Sequence, residues 1–136
     1  MTAYRFIIVD DDELDIRLAK LYIKQTLTNA EVVAFSVPEE ALKYFMSSFG
    51  DLPALPSILL LDLNMPSISG WEFLEIFEQL DQKVKNHISV YILSSSVDSR
   101  DIDKASNHHN VKGYLQKPIT VDSLKKIGKS DGLTFA

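Results

Sequence analysis

Short apolar segments alternate with longer amphipathic segments along the chain. The apolar segments are rich in β-branched and aromatic residues, and they lie at Tyr4–Val9, Glu31–Phe35, Ile58–Leu61, Val90–Leu93 and Gly113–Leu115. Apolar runs without polar alternation are typical of strands in a parallel sheet that is covered on both faces. The pattern therefore predicts five strands in one buried sheet.

The segments between these runs carry apolar residues at helical spacing. Asp12 is a typical N-cap for the first predicted helix, and Pro38 suits the first turn of the second. Gly70 precedes a third helix, Asp98–His108 forms a polar fourth, and Thr120 precedes a short last helix. The side chains predicted to face the core are Leu14, Leu18, Leu21, Ile23, Leu27, Ala41, Leu42, Phe45, Met46, Phe49, Phe73, Leu74, Phe77, Leu80, Ile102, Ala105, Val121, Leu124 and Ile127.

The strand–helix unit recurs five times along the chain. Such alternation implies right-handed crossovers and a doubly wound α/β fold, with helices on both faces of a parallel sheet. We predict a single domain over 1–136, with its core from about 4 to 129 and a short tail at 130–136. The connector 50–57 is expected to lie within this domain.

Composition narrows the class of protein. The chain has 136 residues, 46% of them hydrophobic and 24% charged, with no cysteine and a net charge of −5. These values fit a soluble globular domain and exclude disulfides and thiolate metal sites. An acidic domain is a poor general nucleic-acid binder, and no apolar run approaches the roughly 20 residues of a membrane helix. The N-terminus does not resemble a signal peptide, so we expect a cytoplasmic protein without membrane association.

Polar residues follow four of the predicted strands where each strand ends. Asp10 and Asp11 follow the first strand, Asp62 the third, Ser94–Ser96 the fourth and Lys117 the fifth. The carboxyl ends of parallel strands share one edge of the sheet, where ligands bind in doubly wound folds. We therefore expect the three carboxylates to lie within a few ångströms of one another.

Clustered carboxylates of this kind need compensating charge. Two like charges about 5 Å apart repel by roughly 3 kcal/mol at an effective dielectric constant of 20. A hard divalent ion, Mg²⁺ or Mn²⁺, suits an all-oxygen site. A lysine and a hydroxyl can contact phosphoryl oxygens while a carboxylate attacks phosphorus, so the set predicts phosphoryl transfer.

Each feature has a plainer explanation when it is taken alone. A run of aspartates after a strand is often a solvated turn and helix cap, and serine clusters commonly mark loops. Lys117 is explained equally well as a surface lysine, whereas Asp62 follows four apolar residues and is harder to dismiss. The conjunction at four strand ends favours the functional interpretation. His108 and His109, by contrast, are predicted to be surface residues.

With these residues in place, the chain resembles the receiver domains of bacterial two-component response regulators, in a stand-alone form like the chemotaxis receiver. The resemblance runs from Tyr4 to about Lys129 and rests on VDDDE at 9–13, LLLDLNMPSISGWEFL at 59–74, ILSSS at 92–96 and GYLQKPI at 113–119. It implies a flavodoxin-like (βα)5 fold with strand order 2-1-3-4-5.

The resemblance also implies residue roles in a phosphoacceptor site. Asp62 would take a phosphoryl group from a phosphohistidine on a sensor kinase or a phosphotransfer protein. Mg²⁺, or Mn²⁺ as the alternative ion, would be held by Asp11, Asp62 and the main-chain carbonyl of Asn64. Asp10 would act on the ion through water.

Further implied roles concern the switch. Lys117 would pair with the phosphoryl oxygens, and its bond to Pro118 is a candidate cis peptide. Ser94 would be the switch hydroxyl, and Tyr114 the aromatic residue that changes rotamer with it. The resemblance gives secondary roles to Ser95, to Ser96 in tuning the attack of water, and to Asp12 as a helix cap or as extra charge near the metal.

The implied output is a protein contact. Because no segment long enough for DNA binding follows residue 129, we expect no direct DNA binding. The contact surface would combine Asp98–His109, the fifth strand and the last helix, on a monomer or a weak dimer. Such a domain signals and is not an enzyme with a separate substrate.

Two alternatives stay open at this point. FIIVDDDEL also resembles the start of a haloacid-dehalogenase-like phosphatase, with Asp10 as nucleophile and Asp12 as acid–base, although Asp62 is then unexplained. The other alternative is a pseudo-receiver, a binding module that keeps the fold without using the phosphate. Labelling of Asp62→Asn and Asp10→Asn variants separates the receiver from the phosphatase.

Overall fold

The structure contains one parallel sheet with helices on both faces. The computed structural model describes residues 4–47, 49 and 55–131, without the side chains of the last two. Within these ranges the strand order is β2-β1-β3-β4-β5, which confirms the doubly wound α/β fold and the expected order. The strands are β1 (Tyr4–Val9), β2 (Ala30–Phe35), β3 (Ser57–Leu61), β4 (Ile88–Ser94) and β5 (Val111–Gln116).

Helices connect the strands and close the fold. They are α1 (Glu13–Thr26), α2 (Pro38–Ser47), α3 (Gly70–Phe77), α4 (Gln82–Lys85), α5 (Ser99–Asn107) and α6 (Val121–Asp131). The hydrophobic pattern did not predict α4, because a four-residue helix without a buried side chain shows no period. Residues 130 and 131, predicted as tail, end α6 instead; 132–136 and the connector residues 50–54 lie outside the described residues.

Successive residues of each central strand pack into opposite halves of the core. Ile7 and Val9 of β1 belong to a cluster with residues of α2, α3 and α5. Phe6 and Ile8 belong to a second cluster with residues of α1 and α6. Because both faces of the sheet are covered, alternation of polar and apolar residues is absent, as the sequence pattern indicated.

Several predicted core positions on the helices are wrong. Leu14 is 63% exposed and Met46 is 61% exposed, and the core face of α1 is formed by Ile16, Ala19 and Ile23. A helix buries only one face, so apolar residues outside that face remain in solvent whatever their hydrophobicity. The other predicted core residues found exposed are Leu21, Ile102 and Val121.

The start of α3 is fixed by a capping box and a close backbone approach. The Ser69 hydroxyl accepts a hydrogen bond from the Glu72 N–H, and the Glu72 carboxylate accepts one from the Ser69 N–H. Gly70 donates to the Leu63 carbonyl at 2.8 Å. A Cβ at Gly70 would lie 2.5 Å from the Asp62 carbonyl oxygen, so this loop requires glycine.

Among the described residues, none of the helices combines the length and the apolar character that spanning a membrane requires.

Candidate functional site

Two buried aspartates stand at the carboxyl ends of adjacent strands. The Asp10 N–H donates to the Phe35 carbonyl at 3.1 Å, and the Asp62 N–H donates to the Val9 carbonyl at 2.9 Å. These bonds continue the sheet ladder one residue past β1 and β3. The Asp10 carboxylate is held in turn by the Asp12 N–H at 2.9 Å. The sheet itself therefore delivers both carboxyl groups to one edge.

The predicted carboxylate cluster is present at this edge. Asp10, Asp11 and Asp62 each offer a carboxylate oxygen, and these atoms lie within 4.8 Å of one another. Asp10 and Asp62 are 3% and 5% exposed, whereas Asp11 faces solvent. Burial, followed by the charge of Asp10, raises the pKa of Asp62 to about 6. Burial also raises the pKa of Asp10, against the hydrogen bond from Lys117.

This donor set fits a hard divalent cation. Its oxygens are carboxylate oxygens, which are the ligands that Mg²⁺ and Mn²⁺ prefer. Burial is the main cause of the raised pKa of both Asp10 and Asp62, and at Asp62 the charge of Asp10 adds to it. A cation bound here would stabilise the charged form of both carboxyl groups.

Lys117 binds three carboxylates at once. Its Nζ lies 2.6 Å from Asp10 Oδ2, 2.9 Å from Asp15 Oδ2 and 3.5 Å from Asp62 Oδ2. Burial opposes the charge of this lysine, but the hydrogen bonds to Asp10 and Asp15 raise its pKa. The Lys117–Pro118 bond is cis, as the resemblance implied, and the Lys117 N–H donates to the Ser94 carbonyl at 2.9 Å.

Asp15 is the site residue that sequence reasoning missed. It lies in the first turn of α1, where an acidic residue is explained by the helix dipole and attracts no notice. A signal was nevertheless present, because Asp15 lies one helical turn after the aspartates that end β1. The structure places its carboxylate against Lys117.

Ser94 and Tyr114, the predicted switch residues, both form hydrogen bonds with the main chain of Ser96. Ser94 is fully buried, and its Oγ accepts a hydrogen bond from the Ser96 N–H at 3.1 Å. The half-buried Tyr114 donates its hydroxyl proton to the Ser96 carbonyl at 2.6 Å. A displacement of either side chain therefore acts on the main chain of the same residue, through its N–H or through its carbonyl.

Ser96 also links this part of the main chain to α5 and, through α5, to α3. Its hydroxyl donates to Asp101 Oδ2 at 2.8 Å. The indole Nε1 of Trp71 donates to Asp101 Oδ1 at 3.2 Å, and Lys104 Nζ lies 4.8 Å from the Trp71 ring centre. Trp71 thus bridges α3 and α5, a contact that its position at the start of α3 did not predict.

The remaining sequence-predicted site residues lie nearby in simpler settings. Asp12 is the N-cap of α1 and accepts hydrogen bonds from the Leu14 and Asp15 N–H groups. The Asn64 N–H donates to Asp62 Oδ1 at 3.4 Å. The main-chain carbonyl of Asn64, which is the predicted metal ligand, takes no part in that bond. Ser95 and Pro118 are exposed.

A second cluster of possible metal ligands is formed by Glu78, His108 and His109. His108 Nδ1 accepts a hydrogen bond from the Asn110 N–H, which places the proton of a neutral ring on Nε2, 3.2 Å from Glu78 Oε1. Both ring nitrogens of His108 therefore already have protein partners, the Asn110 N–H at Nδ1 and the Glu78 carboxylate near Nε2. The prediction that His108 is a surface residue is wrong, because its side chain is only 19% exposed and stacks on Trp71.

The raised pKa of Asp62 predicts a pH-dependent stability of the metal-free protein. The usual carboxyl pKa is 3.8, and the folded one is about 6. The associated stability is therefore complete below about pH 4 and is lost as the pH rises through about 6. Asp62→Asn removes this loss, so we expect it to be more stable than the wild type at neutral pH by up to about 3 kcal/mol.

Urea unfolding in EDTA across this pH range measures the difference, which should shrink towards zero at the acid end. Glu75→Gln, at an exposed position of α3, is the matched loss of one carboxylate and should show no such trend. An Asp62→Asn advantage that is independent of pH contradicts the prediction.

Comparison with known proteins agrees with this geometry. Residues 6–129 match the family model of the response regulator receiver domain. The chain is similar to a response regulator receiver protein from Dyadobacter fermentans DSM 18053, with 33% identity, a TM-score of 0.82, and coverage of 97% of this chain and 100% of that one. It is also similar to the Mn²⁺-bound form of the response regulator Rcp1, with 26% identity, a TM-score of 0.67, and coverage of 97% and 98%.

Curated relatives are longer proteins. The chain is 33% identical over 86 residues to the probable methanogenesis regulatory protein FilR2 of Methanothrix harundinacea (strain 6Ac). The aligned region covers 63% of this chain and 54% of that protein. The chain spans about half or less of the length of the curated relatives that it matches.

Proposed function

The chain belongs to the response regulator receiver domain family, and from this premise we propose that Asp62 is the residue that receives its phosphoryl group. Receiver domains of this family are signalling domains of two-component systems, which receive phosphoryl groups from histidine kinases or phosphotransfer proteins. The observation that carries the assignment is the juxtaposition of buried Asp62 with Asp10, Asp11 and Lys117 at one sheet edge.

The chemistry follows from the charges at this edge. A carboxylate oxygen of Asp62 forms a bond to phosphorus while the P–N bond of the phosphohistidine breaks, and the electron pair of that bond returns to the imidazole nitrogen. Lys117, 3.5 Å from Asp62 Oδ2, supplies a positive charge for the phosphoryl oxygens. The product is an aspartyl phosphate on the protein itself, so no separate substrate is turned over.

Receiver domains bind a divalent metal ion, and we propose Mg²⁺ for this chain, with Mn²⁺ as a substitute. Asp11, Asp62 and the main-chain carbonyl of Asn64 would hold the ion directly, and Asp10 through water. The ion would neutralise phosphoryl oxygens. The Mn²⁺-bound relative and the three-carboxylate cluster support this assignment.

The geometry favours Asp62 over Asp10 as the nucleophile. Asp10 Oδ2 is in a short ion pair with Lys117, and its Oδ1 accepts the Asp12 N–H. Asp12, the acid–base of the phosphatase alternative, is used as the cap of α1. The residues of that alternative are therefore committed to structural contacts.

We propose that Ser94 and Tyr114 transmit a conformational change from the phosphorylated site to the protein surface. Attraction of the Ser94 hydroxyl to a new phosphoryl oxygen would release the Ser96 N–H that it now accepts from. The Tyr114 hydroxyl, which binds the carbonyl of the same residue, would then lose its present acceptor geometry. The change would pass to α5 through the bond between Ser96 and Asp101.

The output surface is proposed to be the face formed by α5, β5 and α6. A groove of about 340 Å³ lies there, lined by residues that include Ser96 and Tyr114. The exposed apolar side chains Val97, Ile102 and Val121 surround it or lie beside it. We propose that a downstream protein, or a weakly bound second copy, contacts this face in the cytoplasm.

Intact-protein mass spectrometry tests the proposed function. Incubation with acetyl phosphate and Mg²⁺ is expected to add one phosphoryl group, and EDTA is expected to prevent it, since the clustered carboxylates need a cation before an anionic donor can approach. Folding in each sample is checked by circular dichroism. A folded protein that gains no adduct from acetyl phosphate or from a phosphohistidine donor contradicts the proposal and favours a pseudo-receiver.

A further inference from the structure

Asp15 makes a contact with Lys117 that the proposed chemistry does not use. The two side chains come from α1 and from the loop after β5, and their atoms lie 2.9 Å apart. The Lys117 side chain is 11% exposed and that of Asp15 is 34% exposed. The Asp15 N–H donates to the carboxylate of the N-cap Asp12, which fixes the turn that carries it.

We propose that Asp15 is a positioning residue: it holds the Lys117 ammonium towards α1 in the unphosphorylated protein and competes for it with the phosphoryl group on Asp62. This inference rests on the proposed function, because it concerns the lysine that would contact that group. It adds a restraint on the resting state of the site.

The distances around Lys117 Nζ support the competition. An ammonium group has three protons, and two of them are directed to carboxylates at 2.6 Å, from Asp10, and at 2.9 Å, from Asp15. The Asp62 oxygen, at 3.5 Å, is beyond ordinary hydrogen-bond distance. The two nearest partners of the ammonium are therefore carboxylates other than Asp62, and a phosphoryl oxygen on Asp62 would compete with them for its charge.

Asp15 is the partner whose loss most directly favours that movement. Asp10 ends a strand of the central sheet and belongs to the carboxylate cluster, so its removal would disturb the site as a whole. Asp15 stands outside this cluster and contacts the site through Lys117. Its removal frees one ammonium proton and also lowers the negative charge that repels an anionic phosphodonor.

The first helical turn offers a matched control. Glu13 and Asp15 are both acidic residues in the first turn of α1 and interact alike with the helix dipole. Glu13 is exposed, and among the described residues the ion-pair partners of Lys117 are Asp10, Asp15 and Asp62. Glu13→Gln therefore removes the same charge from the same turn without touching the lysine.

Binding of beryllofluoride, a non-transferable mimic of the phosphoryl group, measures the competition. Titrations with Mg²⁺ present are made on the wild type, Asp15→Asn, Asp15→Glu and Glu13→Gln. We expect Asp15→Asn to bind roughly fivefold more tightly, as the loss of one charged hydrogen-bond partner of the lysine allows. Glu13→Gln and Asp15→Glu should stay within about twofold of the wild type, since the latter retains the carboxylate.

Nuclear magnetic resonance of the Lys117 ammonium protons, recorded without phosphodonor, provides an independent readout. In the wild type and in Asp15→Glu we expect a slowly exchanging signal, and in Asp15→Asn a signal lost to exchange with water. A simple effect on helix stability would not produce this pattern. The measurement also needs neither a metal ion nor a phosphorylated protein.

The outcomes test the role of Asp15 separately from the proposed phosphorylation of Asp62. Unchanged or weaker beryllofluoride binding in Asp15→Asn, or an equal gain in Glu13→Gln, overturns the competition. If the slowly exchanging ammonium signal persists in Asp15→Asn, the proposal that Asp15 holds Lys117 in the unphosphorylated protein is overturned. If the folded wild type binds no beryllofluoride, the assignment of Asp62 fails, and the ammonium signal still decides whether Asp15 holds Lys117.

Discussion

Asp62→Asn is expected to abolish the phosphoryl adduct, with a fall of more than about 100-fold in the rate of labelling by acetyl phosphate and Mg²⁺, the scale on which loss of an essential catalytic group acts. The amide that replaces the carboxylate is a poor nucleophile and cannot form an acyl phosphate. The substitution is nearly isosteric and relieves the repulsion from Asp10, so loss of labelling cannot be attributed to unfolding.

Asp10→Asn and Asp11→Asn are the informative comparisons. Both belong to the same carboxylate cluster as Asp62, but Asp10 is buried against Lys117 and Asp11 is exposed. We expect each variant to be labelled more slowly than the wild type, and still on Asp62. Peptide mapping would identify the labelled residue. An adduct that persists in Asp62→Asn and disappears in Asp10→Asn would overturn the assignment in favour of the phosphatase alternative.

The sequence carried most of the information about the sheet, and less about the helices. Each of the five predicted apolar runs lies within a strand. The central strands β1, β3 and β4 are almost fully buried and so lack alternating polar residues, whereas the edge strands β2 and β5 are partly exposed and extend beyond their predicted runs. On α1 the apolar residues exceed what one face can bury, so the pattern named Leu14 and missed Ala19. Tertiary packing determines which of these apolar residues are buried, and their spacing along the chain does not reveal it.

The candidate site divides in the same way. Side chains fixed by strand ends, such as Asp10, Asp62 and Lys117, could be placed together from topology alone, because parallel strands end at one edge. Asp15 could not, because its partner lies 102 positions away in the sequence and its own element gives a sufficient reason for an acidic residue. Contacts between a helix turn and a distant loop depend on how the helix packs on the sheet.

Gly70→Ala is the second substitution for which a large effect is expected, because the backbone of Asp62, the proposed phosphoacceptor, fills the space that the added methyl group would need. An alanine Cβ at this position would lie 2.5 Å from the Asp62 carbonyl oxygen and 2.9 Å from the Leu63 Cα. Neither atom can rotate away as a side chain can, so the loop from Asp62 to α3 must move. We expect a loss of roughly 3 kcal/mol or more in the free energy of unfolding, as for severe overpacking.

The sign of this prediction is the opposite of what helix propensity suggests. At a helix start whose backbone an alanine can adopt, replacing glycine by alanine usually stabilises a protein by about 0.4–1 kcal/mol, through the unfolded chain. Ser69 already caps α3 with Glu72, so the helix does not need glycine for its own formation. A measured loss therefore reports the close approach of α3 to the Asp62 backbone.

Gly113→Ala is the matched control for this clash. Its Cβ would meet only the ring of Tyr91, at 3.1 Å and 3.3 Å, and a ring can shift by a few tenths of an ångström. We expect this variant to change the free energy of unfolding by less than about 1 kcal/mol, the size of the usual glycine-to-alanine effect. Urea unfolding of both variants measures the two changes, provided that the dependence of the free energy of unfolding on urea concentration is the same in both.

Labelling links the same substitution to function. Because the displaced carbonyl belongs to Asp62, folded Gly70→Ala protein is expected to be labelled by acetyl phosphate at least tenfold more slowly than the wild type, as misplacement of a reacting group by a fraction of an ångström to 1 Å allows. Gly113→Ala should be labelled at nearly the wild-type rate. A Gly70→Ala protein with wild-type stability and wild-type labelling would show that the loop accommodates the methyl group, and that glycine is not what sets the position of Asp62.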